Sequence, residues 1–264
     1  MKIYAHRGAS AEYPENTMAA FQRAIDLGAD GIELDVHLSA DGVPVVIHDE
    51  TVDRTTDVTG PVSAMTAAEL GSIDAGRGHG VPTLADVLDL VGNTLHVNIE
   101  IKSNQAGQAV IDEVNRRPDL RWAISSFDWD VLRFVKGALP GADLWPLTYG
   151  PKASLIATID YIASQEDVYP GARAWAESLR TTGNVLEDAL DLARDLGSST
   201  LSVGQYGLTE AAIGTIHGQG FAAWVWTVDE PERARELASW GANSLCTNEP
   251  AIMLRAGLSA AGRP

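Results

Sequence analysis

Three acidic side chains in the first hundred residues have the types and spacing of a metal-binding site. Glu33 and Asp35 alternate with apolar residues in GIELDVHL, and Glu100 stands in the same alternating pattern in HVNIEIK. Successive side chains of a β-strand point to opposite faces, so Glu33 and Asp35 share one face. Close carboxylates cannot all remain ionised without a cation, and all-oxygen ligation favours Mg²⁺ or Ca²⁺. We therefore predict one divalent cation on Glu33, Asp35 and Glu100.

The simpler interpretation of an acid on a strand is that it faces solvent. Both acidic stretches, however, have a fully apolar opposite face. A parallel sheet covered by helices leaves no solvent-facing side. The acids are therefore expected to face a cavity.

Two histidines and two cationic residues also follow strand-like runs. His6 and Arg7 end the first run, His48 ends the run after the acidic strand, and Lys102 follows Glu100 by two residues. Two imidazoles beside a cation can cleave a phosphoryl ester, one activating the nucleophile and the other protonating the leaving oxygen. Arg7 and Lys102 can bind the nonbridging phosphate oxygens. Either histidine alone is more often a packed or surface residue, but their shared position at strand ends favours catalysis.

The order of the predicted elements indicates the fold. Strand-like and helical patterns alternate over nearly all of the 264 residues, which predicts a parallel sheet covered by helices. At this length we predict an α/β fold, a single domain over residues 1–264 that forms a closed TIM (β/α)₈ barrel. A turn-rich segment at 51–82 predicts a small insertion after the second strand, and residues 151–183 look irregular. An open doubly wound sheet is the alternative, although no G-x-G-x-x-G motif follows the first strand.

The alternating pattern predicts nine strands and at least six helices. The predicted strands are 3–7, 32–38, 43–47, 96–102, 122–127, 144–149, 200–203, 221–228 and 244–247. The predicted helices are 14–27, 84–91, 129–136, 185–196, 210–217 and 231–240.

Composition limits the partners and the compartment. The chain has 19 basic and 36 acidic residues and a net charge of −17, which repels nucleic acid and anionic membrane surfaces. No apolar run is long enough to cross a bilayer, so no stable membrane insertion is expected. The N-terminus has no secretory signal pattern, and the single cysteine, Cys246, excludes an internal disulfide. We predict a cytoplasmic protein and leave its oligomeric state open.

Six stretches of the sequence carry a resemblance to a known family. The longest is AHRGASAEYPENTMAAFQRAIDLGADGIELDVHLSADGVPVVIHDETVDRTT, residues 5–56. The others are VPTLADVLDLV, NIEIK, SSF, VWTVD and GANSLCTNEP. Their combined His-Arg-Gly, Pro-Glu-Asn-Thr, Glu-x-Asp and His-Asp pattern resembles the glycerophosphodiester phosphodiesterases.

The resemblance implies a fold and a set of site residues. It implies a TIM barrel with an insertion after the second strand. It also implies the same roles for the seven residues already named and adds Trp226 as an eighth. The implied roles are metal binding for Glu33, Asp35 and Glu100, acid–base catalysis for His6 and His48, phosphate binding for Arg7 and Lys102, and an aromatic site wall for Trp226. Packing in the barrel core is an equally good interpretation of Trp226. Glu15, Asn16 and Thr17 match the family motif and are expected to fix the first loop and the helix start.

One position departs from the family pattern. Asn248 follows Thr247 where the family usually has an aspartate, so the orientation of a neighbouring Arg or His is in question.

The expected reaction is hydrolysis of a small-molecule glycerophosphodiester to sn-glycerol 3-phosphate and an alcohol. His48 would be the general acid and His6 the base, with water or the glycerol 2-hydroxyl as the first nucleophile. A lysophospholipase D-type hydrolase acting on lysophospholipids is the alternative activity, and a non-catalytic barrel that binds phosphate esters is the alternative class.

Overall fold

Eight parallel strands close into a barrel in the computed structural model, which describes residues 1–166 and 172–259. The strands are β1 Lys2–His6, β2 Gly31–Leu38, β3 Pro44–Val46, β4 His96–Ile101, β5 Arg121–Ser126, β6 Leu144–Thr148, β7 Thr200–Gly204, β8 Ala222–Trp226 and β9 Ser244–Thr247. All except β3 follow one another round the barrel, and the pairing of β1 with both β2 and β9 closes the ring. The predicted TIM barrel is confirmed, and the open doubly wound sheet is wrong.

The described residues form eleven α-helices, most of which cover the outside of the barrel. They are α1 Met18–Leu27, α2 Ala67–Leu70, α3 Leu84–Val91, α4 Gly107–Asn115, α5 Trp129–Ala138, α6 Lys152–Ser164, α7 Ala172–Thr182, α8 Leu186–Leu196, α9 Glu210–Gly218, α10 Pro231–Ser239 and α11 Pro250–Arg255. Outward residues of the strands pack against these helices, as Ile32 and Leu34 of β2 do against Phe21 of α1. Within the described residues, no helix combines the length and apolarity needed to cross a membrane.

The third predicted strand is real but does not belong to the barrel. β3 runs antiparallel to β2, with Val46 opposite Val36 and Pro44 opposite Leu38. The chain between β3 and α3 then forms a separate small apolar cluster, centred on Val52, Val62 and Leu70. This is the insertion after the second strand. It begins as a hairpin at the carboxyl end of β2, because β3 turns back along the last residues of that strand.

Aromatic side chains fill the part of the barrel interior that lies toward the amino ends of the strands. Tyr4, His96, Trp145 and Trp224 point inward, with neighbouring ring centroids 5.5–6.2 Å apart. Gly31 is required at this level, because a Cβ there would lie 2.5 Å from the Tyr4 ring. The filled interior leaves the carboxyl ends of the strands as the place for polar groups.

The segment at 151–183 is not irregular where it is described. Residues 152–164 form α6 and residues 172–182 form α7, and the two helices pack on each other through Leu155, Ile159 and Leu179. The three- and four-residue spacing of the apolar positions carries this helical signal. The prediction was wrong because the pair forms its own apolar cluster instead of continuing the strand–helix alternation.

Candidate active site

The three predicted metal ligands meet at the carboxyl ends of two neighbouring strands. β2 and β4 are parallel and in register, so Asp35 lies directly opposite Glu100, and Glu33 lies one inward position deeper. One carboxylate oxygen from each of the three acids lies within 4.8 Å of the other two. Glu33 and Asp35 are almost fully buried. The convergence expected from strand alternation is therefore present.

The chemistry of this acidic group fits a hard divalent cation. The Oε1 of Glu33 and the Oδ1 of Asp35 are buried and accept no hydrogen bond from the described part of the chain. Burial, together with the nearby charges of Asp35 and Glu100, raises the pKa of Glu33 well above its ordinary value. Buried carboxylate oxygens that accept no hydrogen bond are what an oxygen-preferring cation satisfies. The acidic cluster could therefore hold a metal ion.

Arg7 and Lys102, the predicted phosphate ligands, lie beside the acids. The Nε of Arg7 is 3.2 Å from Asp35 Oδ2, and the Nζ of Lys102 is 2.7 Å from Glu100 Oε1 and 3.4 Å from Asp35 Oδ1. Burial favours the protonated form of Asp35, but Arg7 and Lys102 outweigh it and hold its pKa far below the usual range. The two cations therefore border the acids, where a phosphate group would need them.

The loop after β1 orients Arg7. Arg7 has a φ of +56°, and Gly8, with a φ of +81°, packs so tightly on α1 that a Cβ there would lie 2.6 Å from the Ala20 backbone. Thr17 caps α1 by accepting a hydrogen bond from the Ala20 N–H at 3.3 Å, as expected. Asn16 is not a cap, because its side-chain amide donates to Asp35 Oδ2 at 2.9 Å. Asn16, which was predicted to help fix the helix start, therefore belongs to the site.

His6 is held by the last strand of the barrel. Its Nδ1 lies 2.7 Å from the Oδ1 of Asn248, and its Nε2 lies 3.8 Å from Glu33 Oε2. The amide of Asn248 donates to Asp229 Oδ2 at 2.7 Å. Asp229 can only accept, so the oxygen of the amide must face His6 and accept the Nδ1 proton. The Nε2 of a neutral His6 is then a free acceptor.

Burial and the nearby Arg7 lower the pKa of His6 to about 4. The imidazole is therefore neutral at pH 7, which is the state that a general base requires.

His48 reaches the site by way of the hairpin. β3 runs back along β2, and the N–H of Ile47 donates to the Asp35 carbonyl at 3.0 Å, which brings the next residue, His48, beside the acidic strand. Asp49 Oδ1 accepts a hydrogen bond from the Nδ1 of His48 at 2.5 Å. The His48 carbonyl lies 3.0 Å from the Nε2 of His37, the remaining polar side chain of β2. Both the ring and the backbone of His48 are thus held in place.

Trp226 stands at the carboxyl end of β8, in an aromatic cluster. Its ring centroid lies 5.5 Å from that of Phe127 and 5.8 Å from that of Tyr149. Burial raises the pKa of Tyr149, and the Glu100 carboxylate raises it further, so this cluster borders the acids. Trp226 therefore packs against other aromatic rings and also lies at the edge of the site.

Sequence reasoning missed the contacts that four charged residues make in the site. Glu15 bonds Arg7, Asp49 bonds His48, Arg54 bonds both acids, and Asp229 bonds Asn248. All four residues lie within the stretches that carry the family resemblance, which was the available signal. Their partners are known only from the folded chain.

The fold and the site together define a class, the (β/α)₈-barrel enzymes whose polar residues gather at the carboxyl ends of the strands. The comparisons with known proteins give the family within that class. The chain belongs to the Glycerophosphoryl diester phosphodiesterase family, whose model matches residues 6–252.

Individual relatives agree with this assignment. The chain is 47% identical over 152 residues to a glycerophosphodiester phosphodiesterase of Caldanaerobacter subterraneus subsp. tengcongensis, a match that covers 52% of this chain and 63% of that relative. A glycerophosphodiester phosphodiesterase structure from Thermotoga maritima aligns with a TM-score of 0.72 at 27% identity over 96% of each chain. An Oleispira antarctica phosphodiesterase in complex with its product sn-glycerol 3-phosphate aligns with a TM-score of 0.78 at 24% identity, over 98% of this chain and 97% of the other, and shows the shared fold.

Proposed function

We propose that this protein is a metal-dependent phosphodiesterase that hydrolyses glycerophosphodiesters to sn-glycerol 3-phosphate and an alcohol. The observation that carries the proposal is the convergence of three carboxylates within 4.8 Å, bordered by Arg7 and Lys102. An acidic site that also presents two cations can accept a metal and an anionic phosphodiester together. The product bound in the Oleispira antarctica complex, sn-glycerol 3-phosphate, supports the same product here.

Glu33, Asp35 and Glu100 would hold one divalent cation, Mg²⁺ or Ca²⁺. When bound, such a cation supplies Lewis-acid polarisation of a phosphoryl oxygen. Arg7 and Lys102 bind the nonbridging oxygens and orient the phosphodiester. Trp226 forms an apolar wall for the substrate together with the rings of Phe127 and Tyr149.

His6 and His48 divide the proton transfers. The free Nε2 of His6 takes the proton from the attacking hydroxyl, because Asn248 already holds the Nδ1 proton. His48, with its Nδ1 bonded to Asp49, protonates the departing alcohol from Nε2. Each transfer contributes roughly 10²- to 10⁴-fold to the rate. We propose that the enzyme works in the cytoplasm, because a chain that uses no internal disulfide and has a single buried cysteine, Cys246, suits a reducing compartment.

A coupled assay for sn-glycerol 3-phosphate tests the proposal. Purified protein is given glycerophosphocholine, glycerophosphoethanolamine or glycerophosphoglycerol, each with Mg²⁺, with Ca²⁺ and with EDTA. We expect release that EDTA abolishes and added metal restores. No release from any ester with either metal contradicts the function, and release that resists EDTA contradicts the metal dependence.

Lysophosphatidylcholine is the discriminating substrate in the same assay. A higher kcat/KM for choline release from it than from glycerophosphocholine would favour the lysophospholipase D-type alternative.

A further inference from the structure

Arg54, in the insertion, donates four hydrogen bonds to two acidic side chains. Its Nε and Nη2 donate to Asp49 at 2.7 and 3.1 Å, and its Nη1 and Nη2 donate to Glu15 at 3.0 and 2.8 Å. The guanidinium therefore binds two carboxylates, each in bidentate fashion. Planar, forked geometry of this kind is specific to arginine, because a lysine ammonium cannot reproduce it.

Each of these carboxylates also bonds a residue of the candidate site. Asp49 Oδ1 accepts from His48 Nδ1 at 2.5 Å, and Glu15 Oε1 accepts from Arg7 Nη1 at 2.8 Å. Arg54 thus lies at the centre of a chain of bonds that runs from His48 to Arg7. The bonds join the loop after β1 to the hairpin that carries His48, two segments that are far apart in the sequence.

The electrostatics of the chain of bonds agree with its geometry. Burial favours the protonated form of Glu15, but hydrogen bonds from Arg54 and the charge of Arg7 lower its pKa to about 2. Burial acts in the same sense on Asp49, whose pKa is nevertheless held well below its usual range by His48 and Arg54. Both carboxylates are therefore ionised acceptors at neutral pH.

We propose that Arg54 is a positioning residue that holds His48 and Arg7 in their working orientations through Asp49 and Glu15. The inference rests on the proposed function. Without Arg54, Oδ2 of Asp49 loses its hydrogen-bond donor and the carboxylate can rotate, so it no longer fixes the ring orientation of His48. Glu15 likewise keeps Arg7 as a partner but loses the contact that fixes its own position.

The closing experiment compares two esters of glycerol phosphate with different leaving groups. Choline is a poor leaving group that needs a proton from His48, whereas 4-nitrophenolate leaves without one. For Arg54→Gln we expect kcat on glycerophosphocholine to fall by about 10- to 100-fold. On the 4-nitrophenyl ester we expect kcat to stay within about threefold, since proton donation by His48 contributes little there. KM should rise for both esters because Arg7 is less well held.

Three further variants complete the design. Arg77→Gln is the matched control, since Arg77 also joins the insertion to the first loop, through the Glu12 carbonyl at 2.9 Å, but contacts no site residue. It should leave both rates unchanged. Arg54→Lys keeps the charge without the fork and should show the same dependence on the leaving group, which provides a test if Arg54→Gln does not fold. Arg54→Gln added to His48→Ala should lower kcat on glycerophosphocholine no further.

The outcomes separate this inference from the proposed function. Wild-type protein that cleaves neither ester with Mg²⁺ or Ca²⁺ contradicts the proposed function. Active wild-type protein with a fully active Arg54→Gln variant, or with an equal loss of kcat on both esters, overturns the positioning role alone.

Discussion

His6 and Asn248 are 242 residues apart in the chain, yet the Nδ1 of the one lies 2.7 Å from the Oδ1 of the other. The contact exists because β1 and β9 are neighbours in the closed barrel. It also answers the question raised by the neutral residue at position 248. The amide still orients His6, because Asp229 accepts from its Nδ2 at 2.7 Å and fixes which end faces the imidazole. The negative charge is that of Asp229, which reaches His6 only through the side chain of Asn248.

Restoring a carboxylate at position 248 should change the pH profile. In Asn248→Asp, a charge next to the imidazole would raise the pKa of His6, which burial and Arg7 lower to about 4. A base must be unprotonated, so the acidic limb of the kcat/KM profile should move upward by about one pH unit, with loss of activity only on the acidic side. Ser10→Ala is the control, because Ser10 Oγ donates to the same Asn248 oxygen at 2.9 Å without carrying a charge. An unmoved limb in Asn248→Asp would contradict the contact.

Replacing each histidine should affect the two glycerol phosphate esters differently. His48→Ala should lower kcat on glycerophosphocholine by roughly 10²- to 10⁴-fold and spare the 4-nitrophenyl ester, because nitrophenolate needs no proton. His6→Ala should slow both esters, since both need an activated nucleophile. Steady-state kinetics with the two esters measure this, and the reverse pattern would exchange the assigned roles.

Metal binding should release a proton. Burial, with the charges of Asp35 and Glu100, raises the pKa of Glu33, so there is a pH range above the usual glutamate pKa in which the metal-free protein keeps a proton there. A cation must displace this proton, and affinity for Mg²⁺ or Ca²⁺ should therefore increase with pH. Titration calorimetry in two buffers of different ionisation enthalpy measures the release. Glu33→Gln should release none, and proton-free binding to the wild type would contradict the prediction.

Removal of Lys102 should separate metal binding from activity. Its ammonium lies 2.7 Å from Glu100 Oε1 and 3.4 Å from Asp35 Oδ1, so it repels a cation between these acids. In Lys102→Gln we expect metal to bind several-fold more tightly, a gain of about 1 kcal/mol. We expect kcat/KM to fall by roughly 10- to 100-fold through the lost phosphate contact. Lys136→Gln on α5, where the ammonium donates to the Pro140 carbonyl, is the control for lost charge.

Two glycine substitutions should change the stability in opposite directions. A Cβ at Gly31 would lie 2.5 Å from the Tyr4 ring and 2.7 Å from the His96 carbonyl oxygen, so Gly31→Ala should lower the free energy of unfolding by about 1–3 kcal/mol. Gly137 lies in α5 with nothing within 4 Å of a Cβ, so Gly137→Ala should raise it by about 1 kcal/mol. Urea denaturation measures both. A Gly31→Ala protein as stable as the wild type would contradict this prediction and show that the Tyr4 ring can move aside.

The barrel, the shared strand face of the acids, and the positions of His6 and His48 after strand-like runs could be predicted because their signals are local. Alternation of side chains along β2 and β4 is a property of each strand alone, and it placed Glu33, Asp35 and Glu100 on inward faces before any pairing was known. The regular succession of strands and helices likewise predicted the TIM barrel. The insertion was visible as a break in that succession, but its start as an antiparallel hairpin on β2 was not.

The sequence by itself therefore determined which residue types are available for chemistry and which strands carry them. Only the tertiary structure decided their supporting partners: Asn248 on His6, Asp49 on His48, and Arg54 between Asp49 and Glu15. Strand and helix periodicity arises from the geometry of the local backbone, so it can be recognised in a short stretch. A hydrogen bond between distant segments depends on barrel closure and on where the hairpin turns back, and no short stretch contains that information.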